Sequence, residues 1–185
     1  FIAYAALVEN IISEHTSFLS TGGVKIGEWF FPDWKAGGHG VADVRKAIAE
    51  SVNTFFYIIS GGLDSVTGLG VERITDYAKV FGFGYQTGID LPSEAAGFLP
   101  SKKWKEETKN ERWYVGDTYH LAIGQGDLLV TPLQMATATA RLANGGMKIT
   151  PHVISQKIGL DSIPRIDSYN ENAIRIVREV MRQTV

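Results

Sequence analysis

Apolar residues recur at helical spacing along this chain only in short bursts, and almost every burst is cut off by glycine or a turn dipeptide. A chain punctuated in this way must build its core from several short helices crossing one another. Phe1, Tyr4, Ala5, Val8, Ile11 and Ile12 share one face of a first helix, which the spacing ends near Ser13 to Thr16. Thr21-Gly22-Gly23 is a turn, Val24 to Gly27 a short strand, and residues 28–40 an ordered loop. Val41, Val44, Ala47 and Ile48 give a second helix ending near Glu50. Asn53 or Thr54 caps a third, apolar through Phe55, Phe56, Ile58 and Ile59 and stopped at Gly61-Gly62. Val71, Ile74, Ala78 and Phe81 mark a fourth, with Gly82 just past its end.

Residues 82–130 are rich in glycine and poor in periodicity, and SKKWKEETKNERW within them reads as a solvated loop anchored by Trp104 and Trp113. Thr131-Pro132 is a cap followed by proline at the first helical position. The helix it opens is alanine-rich (Ala136, Ala138, Ala140, Ala143), which predicts a closely packed, buried element, and it stops at Asn144-Gly145-Gly146. Met147 to Ile158 reads as an edge strand interrupted by Pro151. Ser168 and Glu171 are spaced as a capping box for a last helix that buries Ile174, Val177 and Met181. The fold class is α+β, helix-rich with few strands.

Composition narrows the function. Among 185 residues, 20 aromatics supply enough apolar surface for one substantial core, and a chain of this length buries roughly 70% of its extended surface. Lys and Arg total 18 against 20 Asp and Glu. No basic stripe is present to neutralise phosphates, so nucleic acid is not an expected partner. With no cysteine, disulfides and thiolate metal sites are excluded. No run approaches the roughly 18–20 apolar residues of a spanning helix. The opening FIAYAALVENII has neither an initiator Met nor the charged start and cleavage site of a signal peptide. It reads as a start in mid-helix, within a longer protein.

Most catalytic motifs are absent: no G-x-G-x-x-G, P-loop, G-x-S-x-G or H-E-x-x-H occurs. His15, His120 and His152 are scattered and read as surface or structural histidines. The informative segment is Ser51-Val52-Asn53, wedged between two helices. On a continuous helix residues i and i+2 diverge, whereas in an irregular junction a hydroxyl and a carboxamide can face one cleft and offer a proton relay beside a donor–acceptor pair. The same spacing also describes an ordinary helix cap.

SVNTFFY at 51–57, FGFGYQTGIDLPSE at 81–94, GDTYHLAIGQGDLLVTPLQMA at 116–136 and ANGG at 143–146 occur in that order. Together they resemble the transpeptidase domain of class B penicillin-binding proteins, and within that family the elongation-type group, penicillin-binding protein 2. The family carries three active-site motifs, S-x-x-K, an S-D-N element and K-T-G. Ser51-Val52-Asn53 matches the second; the other two are missing. In the family the nucleophile motif precedes a helix resembling FIAYAALVEN, and the K-T-G strand follows one like NAIRIVREVMRQTV. The resemblance therefore implies a partial transpeptidase domain over 1–185, truncated at both ends, helix-rich and lacking part of the family's antiparallel sheet.

The resemblance implies peptidoglycan D,D-transpeptidation. A serine ester carries the acyl group of a D-Ala-D-Ala stem peptide to a neighbouring amine, and β-lactams acylate the same serine. Ser51 resembles the hydroxyl that relays a proton toward the leaving amine, in concert with a Lys outside the chain. Asn53 resembles the amide that orients that Lys and donates to the substrate carbonyl, so it is both catalytic and substrate-binding. The fragment alone is expected to be inactive. A membrane glycosyltransferase partner, a cell inner-membrane anchor and a periplasmic domain are further implications; no cofactor is expected.

In some elongation-type relatives an Asp and a His matching Asp33 and His39 bind zinc, with a Cys between the Ser and Asn of the second motif. Val52 cannot ligate, two candidates fall short of four ligands, and no metal is expected; His39 reads as a loop hydrogen bonder. Gly82, Gly84 and Gly88 supply turn geometry, Ile89 and Leu91 anchor that loop with Asp90 serving local backbone donors, and Gly124-Gln125-Gly126 is a tight turn. A non-catalytic β-lactam sensor or scaffold would keep the fold but has no need of both Ser51 and Asn53. A β-lactamase or carboxypeptidase relative fits TGIDLP and TPLQ less well.

Overall fold

A computed structural model describes residues 1–154 and 163–184 of the chain. The element order is α1 (Ile2–Val8), β1 (Ser17–Ser20), β2 (Gly23–Ile26), β3 (Trp29–Pro32), β4 (Gly40–Asp43), α2 (Val44–Ala49), α3 (Asn53–Gly61), α4 (Gly70–Val80), α5 (Lys102–Lys109), α6 (Val115–Ala122), α7 (Pro132–Ala143) and α8 (Glu171–Met181). This is the α+β, helix-rich class that the periodicity indicates.

Helix α3 is the centre of the core. Phe55 and Ile59 are buried along it in one cluster with Tyr4, Ala5 and Ala6 of α1, and Tyr57 and Ile58 in a second, smaller one with Val24 and Tyr119. The Tyr4 ring meets Phe81 edge-on at 5.3 Å. Its hydroxyl donates to the Ser168 carbonyl at 2.7 Å and accepts the Asn170 N–H at 3.0 Å, fastening the start of α8 to α1. Each large side chain buried in this way contributes about 1.5–3 kcal/mol of transfer free energy. Where α3 meets α6 the backbones approach so closely that a Cβ on Gly61 would stand 2.4 Å from the Tyr119 ring.

Two antiparallel pairs lie beside these helices. Strand β1 pairs with β4, Phe18 opposite Ala42, and the chain between these two strands forms the separate hairpin β2–β3, with Val24 opposite Phe31 and Ile26 opposite Trp29. Residues 28–40 are thus not the single loop expected. Cross-strand aromatic–aliphatic pairs stabilise the hairpin, and Phe31 adds an edge-on contact with Tyr119 at 5.0 Å. Val41 leaves the expected helix face for β4, where it is exposed, and α2 begins at Val44, with the Asp43 carboxylate accepting the Lys46 N–H.

Other boundaries also shift. Helix α1 ends at Val8 rather than beyond Ile12, because Asn10 turns left-handed and the Ile11 and Ile12 N–H groups bond back to the Ala6 carbonyl. The SKKWKEETKNERW stretch contains helix α5, capped by the Ser101 hydroxyl and closed by left-handed Asn110. Lys105 lies buried on it, its ammonium 2.7 Å from Asp117. Thr131 caps α7 as expected, and Gln134 bonds back to it. Its burial is one-sided, through Gln134, Thr137, Ala138 and Leu142, while Ala136 and Ala143 are exposed. The cap of α8 is Asn170, not Ser168. Of the expected edge strand over 147–158, Met147 forms an isolated bridge with Arg165, and residues 155–158 lie outside the described residues.

The 82–99 loop takes its left-handed glycines at 82, 84 and 88 as expected. Leu91 does not anchor it, being exposed. Gln134, almost fully buried, does so by donating to the carbonyls of Tyr85 and Ala96, both at 2.7 Å. Asp90 serves distant donors, the N–H groups of Val153 and Ile154.

Candidate active site

Ser51-Val52-Asn53 forms the break between α2 and α3. The Ser51 N–H bonds to the Ile48 carbonyl and the Val52 N–H to the Ala47 carbonyl. This is a Schellman ending in which the left-handed position, usually glycine, is Ser51 at φ 54°. Val52 follows in extended conformation with its side chain wholly buried, and Asn53 is the first residue of α3. Ser51 is exposed and Asn53 half-buried on either side of the core-facing Val52. Expected as the cap of α3, neither Asn53 nor Thr54 fills that place; Val52 does, with no side-chain bond of its own.

The capping oxygen comes from Asp33, just past the β2–β3 hairpin. Its Oδ1 accepts the Asn53 N–H at 3.2 Å and the Trp34 N–H at 2.9 Å. Its Oδ2 accepts the Thr54 N–H at 3.0 Å and the Thr54 hydroxyl at 2.8 Å, with the Ser20 hydroxyl at 3.2 Å. A carboxylate at a helix N-terminus is further favoured by the aligned peptide dipoles. Burial works to raise the Asp33 pKa, but the donors from Thr54, Asn53 and Ser20 outweigh it and hold the carboxyl below the usual range.

His39 and Trp34 complete the surroundings. The buried His39 ring places Nδ1 2.9 Å from a Glu50 oxygen, so Nδ1 carries the hydrogen that a carboxylate requires. This bond holds the Glu50 carboxyl below its ordinary pKa. The Lys46 ammonium donates to the His39 carbonyl at 2.6 Å. The Trp34 indole N–H is shared between the Glu50 carbonyl at 3.1 Å and the Ser51 carbonyl at 3.0 Å. Ser51 and Asn53 enter this network through backbone atoms, leaving their hydroxyl and carboxamide unengaged among the described residues. Glu50, Trp34 and Ser20 carried no site signal in the sequence, because their partners lie 11 to 34 residues away, and Thr54, read there as a cap, is instead held by Asp33.

His39 Nε2 is buried without a hydrogen-bond partner, 3.6 Å from Asp33 Oδ1, so the fit of a metal ion can be tested there. A carboxylate offers about four lone-pair sites, and five donors already crowd those of Asp33. Val52 offers no donor atom, the other His39 nitrogen faces Glu50, and no group of three ligating side chains gathers among the described residues. These residues do not fit a zinc site.

The other expected positions are dispersed. His15, His120 and His152 are all exposed. Gly124 and Gly126 are left-handed, and the Gly124 and Gln125 N–H groups close α6 on the carbonyls of Leu121 and His120, so that turn is architectural. Among the described residues no helix is long and apolar enough to cross a membrane.

Comparison with known proteins gives the family. The Salmonella typhimurium protein named peptidoglycan D,D-transpeptidase MrdA is 39% identical over 172 residues, which are 89% of this chain and 26% of that protein. The crystal structure of Pseudomonas aeruginosa PBP2 in complex with WCK 5153 superposes with a TM-score of 0.85 at 30% identity, covering 98% of this chain and 42% of that one. A structure described as structural coordination of polymerization and crosslinking by a peptidoglycan synthase complex gives 0.81 at 31% identity, over 100% of this chain and 31% of the other. The chain spans about a fifth to a quarter of the length of the curated MrdA relatives it matches. The family described as penicillin binding protein transpeptidase domain matches residues 1–185, and the chain belongs to that family, on its elongation-type, PBP2-like side.

Proposed function

We propose that residues 1–185 contribute one wall of the active site of a peptidoglycan D,D-transpeptidase, with Ser51 and Asn53 as its catalytic side chains. One observation carries the assignment of the pair: Ser51 and Asn53 flank the buried Val52 at the break between α2 and α3 with hydroxyl and carboxamide unengaged among the described residues, Ser51 from a left-handed position that glycine would fill without strain. A non-glycine residue there costs about 1–2 kcal/mol, and the serine hydroxyl makes no compensating bond among the described residues. A helix ending needs no hydroxyl at this point; proton transfer does. The same observation counts against a sensor or scaffold that has lost its chemistry.

The nucleophile is a serine of an S-x-x-K motif outside residues 1–185. Its oxygen bonds to the carbonyl carbon of the penultimate D-Ala as its proton passes to the Lys. The peptide C–N bond breaks, and the terminal D-Ala leaves as an amine, receiving a proton through Ser51. An acceptor amine from a second stem peptide then attacks the ester, gives up a proton along the same relay and restores the serine. Asn53 orients the Lys through its carbonyl oxygen and donates its NH₂ to the substrate carbonyl. β-Lactams enter at the acylation step and remain as the ester. A membrane glycan polymerase as partner and a periplasmic, membrane-anchored setting follow from the same reading; the likeness to a peptidoglycan synthase complex supports the partner.

Mass spectrometry of the full-length protein after reaction with a fluorescent penicillin tests the assignment. The adduct is expected on a serine outside residues 1–185 and followed three positions later by Lys. An adduct on Ser51, or on any other serine of this segment, contradicts it.

A further inference from the structure

We propose that the segment from Asp33 to His39 is a metal-free positioning clamp that holds the Ser51-Val52-Asn53 junction from both sides. The inference rests on the catalytic reading of that junction. On one side the Asp33 carboxylate fixes the N–H groups of Asn53 and Thr54. On the other the Trp34 indole spans the carbonyls of Glu50 and Ser51. His39 steadies the Glu50 carboxylate, and its own carbonyl is held by Lys46. Every backbone hydrogen bond that enters the junction from outside α2 and α3 therefore comes, among the described residues, from Asp33 or Trp34.

Trp34 separates positioning from packing. It is 63% exposed, so its ring contributes little to the core. Its one polar atom is nevertheless placed on the two carbonyls that flank the Ser51 Cα, and the ring stands edge-on to His39 at 5.3 Å. Such a bond stabilises the fold only slightly, yet it restrains the rotation of the peptide that aims the Ser51 side chain. Catalytic groups displaced by about 1 Å lose up to about a hundredfold in rate. Loosening this restraint should slow acylation well before it lowers stability.

The test is Trp34→Phe in the full-length protein, which removes the indole N–H and keeps an aromatic ring. The first-order acylation rate constant with benzylpenicillin is expected to fall about tenfold, with the thermal midpoint within about 2 °C of wild type. Backbone amide exchange over residues 50–54 is expected to quicken by a similar factor. Acylation and exchange both within twofold of wild type overturn the clamp. So does a slowing matched by a general loss of thermal stability, which marks a merely structural tryptophan. If Trp34→Phe does not fold, Trp34→Leu, which also lacks the indole N–H, replaces it, with the same two readouts and the same results expected or overturning. Treatment of the wild type with EDTA is expected to leave acylation unchanged, and a chelator-sensitive rate overturns the metal-free part. A wild-type protein that no penicillin labels overturns the catalytic reading instead, while the exchange measurement still decides whether the clamp holds the junction.

Discussion

Asp33 Oδ2 accepts both the backbone N–H and the hydroxyl of Thr54, at 3.0 and 2.8 Å, so a carboxylate 21 residues upstream supplies the cap that α3 does not carry itself. Asp33→Ala removes that cap and leaves the buried Thr54 hydroxyl and two helix N–H groups without their acceptor, while the Ser20 hydroxyl keeps only the Thr54 oxygen at 3.1 Å. Unsatisfied groups of this kind cost about 1–3 kcal/mol. Urea unfolding of the full-length protein is expected to show a loss of about 3 kcal/mol; a loss below about 0.5 kcal/mol contradicts the capping role.

The same carboxylate gives a pH dependence of definite sign. Its folded pKa lies below the ordinary value because bonds from Thr54, Asn53 and Ser20 overcome the effect of burial. Its stabilisation is therefore complete above the unfolded carboxyl pKa of about 3.9 and is lost as pH falls through the lower folded value. The urea midpoint of the wild type should drop more steeply below about pH 4 than that of Asp33→Asn. Parallel acid limbs contradict this.

Gly61 marks the closest approach of α3 to α6, with a Cβ there only 2.4 Å from Tyr119 Cε1 and 2.9 Å from Val115 Cγ2. Gly61→Ala must push the Tyr119 ring, whose hydroxyl is bonded to the Gly62 carbonyl. Overpacking of this kind costs about 1–3 kcal/mol. A lowered thermal midpoint is expected, and relief of it by a second change, Tyr119→Leu, distinguishes the clash from an effect on the unfolded chain. An undiminished midpoint in Gly61→Ala contradicts the close approach.

How much of this was legible in the sequence depended on where each signal's partners lie. Helix α7 could be read because its start is marked by neighbouring Thr131 and Pro132 and its stop by the contiguous Asn144-Gly145-Gly146; the part played by Gln134 emerges only in the structure. Gly82 marked the end of α4 for the same reason. Helix α5 was missed because its face toward the fold carries Trp104 and a buried, ion-paired Lys105 rather than an apolar stripe, although Ser101 was a readable cap. The β2–β3 hairpin was missed because aromatics beside glycines look like loop anchors until their cross-strand partners are known. At the junction, the S-x-N pattern located the break between helices. Its left-handed serine was hidden because no glycine stands there, and the roles of Asp33 and Trp34 because each acts across more than fifteen residues.

The most direct measurement is the acylation rate of full-length Asn53→Ala by benzylpenicillin, beside the wild type and Ser51→Ala. Both variants should fold with thermal midpoints near that of the wild type, because neither side chain is bonded within the described fold. Loss of a positioned donor at a reacting carbonyl costs about 10²–10³ in rate, so acylation of Asn53→Ala is expected to slow by at least about a hundredfold. A variant that folds and is acylated at the wild-type rate would reduce Asn53 to the first residue of a helix and contradict the account.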